Sequence, residues 1–118
     1  MELQELKVES LLRSLGDKCP TPGGGAAAGV TAAIGLAAGR MVLAYSIGRK
    51  DLAEHETANT AALQELEAWR DEAVALAEAD AEAFGILSAL WKLPEEHAER
   101  VADWEVAVRA AINAPLAM

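Results

Sequence analysis

Apolar positions in this chain recur at helical spacing and are cut by glycines and prolines into four segments. Residues 3–15 read as a short amphipathic helix, with Leu3, Leu6, Val8, Leu11, Leu12 and Leu15 on its apolar side and Gly16 as its stop. Residues 17–24 read as loop. Residues 25–47 are apolar nearly all round, which predicts a central helix ended by Gly48. Asp51 is placed to cap a third helix, with Glu54 as capping-box partner. From there to Leu93 no proline and one glycine, Gly85, intervene. That predicts about forty residues of helix, some 60 Å at 1.5 Å per residue, with a break or kink at Gly85. Pro94 ends it, and residues 95–113 form a fourth helix closed by Pro115. No segment has strand period, and none repeats. The expected fold is an all-α bundle with a small-residue central helix and a long helix, in one domain over residues 1–118.

The long helix carries an apolar seam at steps of three and four: Leu66, Trp69, Ala73, Leu76, Asp80, Ala83, Leu87 and Leu90. One member is a carboxylate. Asp80 at a seam position costs stability unless it is paired or used. Three roles fit it. It fixes register or oligomeric state, it pairs with a buried cation such as Arg40 or Arg49, or it lines a cleft and does chemistry. Glu78 and Glu82 point elsewhere on the helix and read as solvated charges.

The second local signal is Pro20-Thr21-Pro22-Gly23-Gly24-Gly25, which runs into Ala26-Ala27-Ala28-Gly29. Two prolines stop what precedes them, and the glycines permit backbone close to a neighbour. Free N–H groups at such a helix start can face an anionic or polar ligand. The plainer reading is a helix-start turn. The glycines form no Walker loop or dinucleotide fingerprint, since the lysine and the preceding strand are absent.

Composition supports helices and narrows the partners. Ala, Leu and Glu dominate, and the apolar fraction is 53%. The net charge of −9 is uneven: residues 1–50 hold six Lys/Arg and four Asp/Glu, residues 51–118 hold four and fifteen. The acidic charge of residues 51–118 argues against nucleic acid as a partner of that part. Arg40, Arg49 and Lys50 are the nearby cations for a small anion. The single Cys19 forms no intrachain disulfide and suits a reducing, cytoplasmic setting. Gly25-x-x-x-Gly29 and Gly35-x-x-x-Gly39 resemble membrane packing motifs, but the segment has few large aliphatics and is interrupted by Arg40. A buried helix of a soluble bundle is the expectation, with no membrane partner. His55 and His97 are far apart and read as surface residues, and no metal-ligand spacing is present. No serine lies in a nucleophile motif.

The pieces PTPGGGAAAG, GLAAGRMV, SIGRK and EADAEAF, with WKLPEE and INAPL further on, resemble the cyclodeaminase/cyclohydrolase family of folate enzymes. The resemblance implies an all-helical, dimeric fold that handles one-carbon tetrahydrofolates. Members close 5-formiminotetrahydrofolate to the 5,10-methenyl compound with loss of ammonia, a step of histidine degradation, or open the methenyl compound with water to 10-formyltetrahydrofolate. It puts the proposed catalytic Asp on Asp80, the backbone N–H groups of Gly23, Gly24 and Gly25 against the ligand, and Arg49 and Lys50 on the folate glutamate carboxylates. The folate is substrate, and no metal or tightly bound cofactor is implied. The family domain continues past the point that matches Pro115-Leu116, into helices with an Asn…Ser-Asp motif, whereas this sequence stops at Met118. The expectation is a fragment, a shortened relative or a chain completed by its partner, with uncovered apolar faces that favour a homodimer. A non-catalytic folate-binding or structural dimerisation module is the alternative.

Overall fold

The computed structural model describes residues 2–118, so residue 1 of the expected 1–118 domain lies outside the described residues. It contains a 3-10 turn at Leu3–Glu5 and then four α-helices: α1 (Val8–Gly16), α2 (Gly24–Ser46), α3 (Glu56–Trp91) and α4 (Ala98–Leu116). A second 3-10 turn, Lys50–His55, precedes α3. No strand occurs among the described residues, and the fold is all-α.

α2 and α3 form a long antiparallel hairpin. Its register follows from the places where α2 has no side chain. A Cβ at Gly29 would come within 2.7 Å of the Ala77 Cβ and 2.9 Å of the Ala73 carbonyl, and one at Gly39 would meet Leu66 at 3.4 Å. Small residues on both helices thus let the two backbones approach closely. Ala26, Gly29 and Ala33 on α2 and Ala77 on α3 are buried. Arg40 of α2 also pairs with Glu67 of α3. The turn at the far end is closed by Gly48, whose φ of 85° lies in the left-handed region that suits glycine. Its N–H donates to the Glu56 carboxylate at 3.1 Å. That carboxylate sits in the first turn of α3, where the helix dipole favours it.

α4 folds back along the C-terminal half of α3. Leu87, Leu90 and Ala107 form a buried cluster, with Leu93, Trp104, Val108 and Ala111 packed on it. The turn is pinned by Arg100, which donates to the Leu93 carbonyl at 2.7 Å and stacks over Trp104. Trp91 meets Trp104 edge to face at 5.7 Å. At its other end α4 brings the Met118 side chain to the Gly29 contact. A second small core joins Leu3, Ala26 and Ala77, flanked by Leu6, Leu11, Val30 and Ala81.

Several boundaries differ from the sequence expectation. The first α-helix begins at Val8, because residues 3–5 make a 3-10 turn that carries Leu3 into the core. Val8 and Leu12, expected on its apolar side, are exposed. Asp51 does not cap α3. Its carboxylate is taken by Arg49, and α3 begins five residues later at Glu56, with no side-chain cap. Gly85 neither breaks nor ends α3, which is 36 residues long. α4 begins at Ala98, where His97 accepts the Glu99 N–H through Nδ1 at 3.3 Å, and Pro115 lies inside its last turn. A proline so near the C-terminal end forfeits one helical hydrogen bond.

The molecule is long and thin, 69 × 28 × 17 Å. α2 is long and apolar enough to cross a membrane by length and composition, and only 17% of its most apolar window is buried.

Candidate functional site

Residues 17–23 bring the chain to α2 through a tight, proline-rich turn. The Cys19 thiol donates to the Thr21 carbonyl at 3.0 Å, Thr21–Pro22 is a cis peptide, and Pro22 is buried. Gly23 takes the N-cap position with extended backbone and no side chain to offer. The first bond of the helix runs from the Ala27 N–H to the Gly23 carbonyl at 2.9 Å. The N–H groups of Gly24, Gly25 and Ala26 precede it and have no partner within the helix. They are the positive end of α2.

Asp80 lies against that end. A methyl group on Gly25 would come within 2.7 Å of Asp80 Oδ1 and overlap Oδ2 and Cγ. Only glycine leaves room for this carboxylate at the first turn of α2. The two sequence signals, the seam carboxylate and the glycine run, therefore meet at one place. The site is bounded on one side by the Leu3, Ala26 and Ala77 core.

The expected burial of Asp80 does not hold, and neither does one of its three candidate roles, the cation pair. Asp80 is half-buried, not buried, since α2 begins at Gly24 and flanks it with a single turn. It also forms no ion pair among the described residues. Arg40 is bound to Glu67, and Arg49 is held by Asp51 in a two-point contact at 2.7 and 3.0 Å. Arg40 lies well down α2 from Gly25 and Arg49 lies beyond the end of that helix, so α2 itself keeps them away. The Arg49 guanidinium holds the Asp51 carboxyl below its usual range.

Within one chain, Arg49 and Lys50 are not part of this constellation. They occupy the turn at the opposite end of the hairpin, exposed, about 36 Å from Asp80 at the α-helical rise. Gly23 and Gly24 do lie beside it. A Cβ at Gly24 would meet nothing within 4 Å, so that residue is open to solvent on its side-chain face.

The structure also gathers residues into clefts that the sequence did not bring together. Two clefts flank the proline turn. One, of about 680 Å³, is lined by Thr21, Pro22 and Gly85 together with the carboxylates Glu2, Glu78 and Glu82. The other, of about 540 Å³, lies between Asp17–Pro20 and the end of α3 at Ser88, Trp91 and Lys92. The prolines and glycines announced the turn, but nothing in the sequence placed it across α3 at Gly85 and Ser88. No cluster of three or more His, Cys, Asp or Glu residues suited to a metal occurs among the described residues.

Residues 7–118 match the family model described as formiminotransferase-cyclodeaminase. The chain belongs to this family. It is 35% identical over 114 residues to a methenyltetrahydrofolate cyclohydrolase of Methylorubrum extorquens, covering 93% of this chain and 55% of that protein. It is 30% identical over 110 residues to the formimidoyltransferase-cyclodeaminase of Gallus gallus, covering 90% of this chain and 20% of that one. The Sus scrofa protein of the same name is 29% identical over 115 residues, covering 94% and 21%. The chain thus spans about half the length of the cyclohydrolase and about a fifth of the cyclodeaminases it matches. No solved structure matches it. The resemblance seen in the sequence motifs is a family relation.

Proposed function

We propose that this member of the family acts on a one-carbon tetrahydrofolate through Asp80, as a homodimer, either hydrolysing the methenyl compound or forming it from the formimino compound. The observation that carries the reading is the carboxylate of Asp80 set against a glycine at the start of α2. The names of the relatives support the substrate class, and both reactions share the same cationic methenyl group.

A fixed carboxylate suits that group twice. Its charge stabilises the methenyl cation. Its oxygen can also move a proton. In hydrolysis, water adds to the methenyl carbon while Asp80 takes one proton. The N5–C bond then breaks, N5 receives that proton, and the hydroxyl proton of the intermediate leaves to solvent as the formyl group forms on N10. In cyclodeamination, N10 attacks the carbon of the protonated formimino group (N5–CH=NH2+), Asp80 carries the N10 proton to the former imino nitrogen, and the bond to that nitrogen breaks to release ammonia and leave the methenyl cation. The α2 N–H groups bind polar atoms of the ligand beside the carboxylate.

The test follows methenyl absorbance with both substrates. Growth of the signal from formiminotetrahydrofolate identifies a cyclodeaminase. Decay of methenyltetrahydrofolate above the uncatalysed rate identifies a cyclohydrolase. Asp80→Asn should lower either rate by about 100-fold or more while folding is kept. No turnover of either substrate by the folded protein, with tetrahydrofolate still bound, would leave a binding module in place of an enzyme.

A further inference from the structure

We propose that the cleft between Asp17–Pro20 and the end of α3 takes the benzoylglutamate tail of the folate, with Lys18 and Lys92 on its carboxylates and Trp91 beside its aromatic ring. This rests on the folate reading above and replaces Arg49 and Lys50 in the role that the family resemblance gave them.

Position argues first. The loop that forms one wall runs directly into Gly23–Gly25, and the other wall is the continuation of the helix that carries Asp80. Along α3, Ser88 lies about 12 Å and Lys92 about 18 Å beyond Asp80. In a folate, a para-substituted benzoyl ring and an amide separate the one-carbon nitrogens from the glutamate carboxylates. That rigid spacer is about two to three helical turns long. A one-carbon group at Asp80 therefore puts the carboxylates within reach of Lys18 and Lys92. Arg49 and Lys50, at about 36 Å, are out of reach in the same chain.

Charge argues second. Lys92 is one of four cations in residues 51–118, against fifteen carboxylates. Neither Lys18 nor Lys92 is in an ion pair among the described residues. The one carboxylate in the cleft, Asp17, accepts the backbone N–H of Lys18 at 2.8 Å. The cleft keeps a net positive charge with it included. The cleft across the proline turn is lined by Glu2, Glu78 and Glu82 and repels a dianionic tail. The two clefts thus give the ligand one direction. Trp91 supplies the apolar wall: it is 63% exposed, and its contact with Trp104 holds the ring in place.

Titration calorimetry with two probes tests this: tetrahydrofolate, and 6-methyltetrahydropterin, which lacks the tail. Lys18→Glu/Lys92→Glu should raise the Kd for tetrahydrofolate about tenfold or more and leave that for the pterin unchanged. Arg49→Glu/Lys50→Glu should leave both unchanged. Should the reversed pair fail to fold by circular dichroism, Lys18→Gln/Lys92→Gln carries the same expectation. Tetrahydrofolate binding that is indifferent to the lysines, or a loss shared equally by the pterin, overturns this assignment and leaves the folate reading standing. No tetrahydrofolate binding by the unaltered protein overturns the folate reading, and this one with it.

Discussion

At Gly25 a single hydrogen atom decides where a carboxylate can sit. Gly25→Ala places a methyl group on Asp80 and leaves the short aspartate side chain no course but to rotate away. Turnover should fall by about tenfold or more, while the melting temperature moves little, because the clash is relieved at a half-exposed side chain. Gly24→Ala is the control: its Cβ meets nothing, and stability should hold or rise by about 0.5 kcal/mol. Equal losses in both variants would assign the glycines a general backbone role and take the special fit away from Gly25. The Arg49–Asp51 pair gives a second residue-scale expectation. Asp51 is depressed below its ordinary 3.8 by the Arg49 hydrogen bonds. Its stabilising effect is present above the ordinary value and is lost as pH falls through the lower, folded one. An NMR titration of Asp51 should therefore find its midpoint below 3.8, returning towards 3.8 in Arg49→Ala. The pair is exposed, so added salt should also weaken the shift. A midpoint unmoved by Arg49→Ala would mean that another group causes it.

The elements show which parts of the architecture can be read from residue order. Helix existence was legible because the chain is punctuated: Gly48, the proline turn and Pro94 each fall at a real boundary. The proximity of Asp80 to the glycine run was implied by the family resemblance and not by residue order, since the antiparallel register of α2 on α3 creates it. The seam reading of α3 came close: Leu66, Ala73 and Asp80 meet α2, and Leu87 and Leu90 are buried. Trp69 is exposed, whereas Ala77, which the seam omits, is fully buried against Gly29. Large side chains marked the period, and the closest contact belongs to small ones that a hydrophobic pattern weights weakly. Glycine is a poor helix former, which suggests a break or kink at Gly85, but α3 runs on because it is held on both sides there, by the proline turn and by α4. Capping rules misled at Asp51, because a nearby arginine outcompeted the backbone N–H groups. The hairpin contact makes its own prediction. Gly29→Ala meets the Ala77 side chain and the Ala73 carbonyl, and a backbone carbonyl cannot swing aside. The helices must separate, at a cost of about 1–3 kcal/mol in chemical denaturation. Gly35→Ala, on an open part of the same helix, should cost nothing and lets helix propensity be subtracted. Similar midpoints for the two variants would show that the hairpin is not closely packed at Gly29.

The whole molecule is too open for its size. Its accessible surface is 8118 Å², whereas a compact monomer of 12.4 kDa exposes about 6,100 Å². Its radius of gyration is 19.1 Å, against about 13.5 Å for a compact domain of this length. The excess of about 2,000 Å² matches one partner's share of an obligate homodimer interface. Much of it is apolar and aligned. Ile34, Ala38, Met41 and Tyr45 lie at steps of four, three and four on the outer face of α2, with Tyr45 77% exposed. A bilayer is a poor alternative cover. α3 is packed along α2 and carries Glu65, Glu67, Glu72, Glu78 and Glu82, which would have to follow it into lipid. Pairing α2 with α2 of a second copy instead buries the face with the fewest charges and leaves the acidic α3 and α4 in water. Light scattering after gel filtration should therefore give a mass about twice 12.4 kDa. Ile34→Glu, which buries a charge in that face, should shift the protein towards monomer and make its melting temperature fall on dilution. A folded monomer at all concentrations, or a chain that floats with liposomes, would remove the dimer. Two copies would also place two Asp80 sites on one particle, and the stoichiometry of tetrahydrofolate binding, one per chain, then reports whether each site is completed within its own protomer.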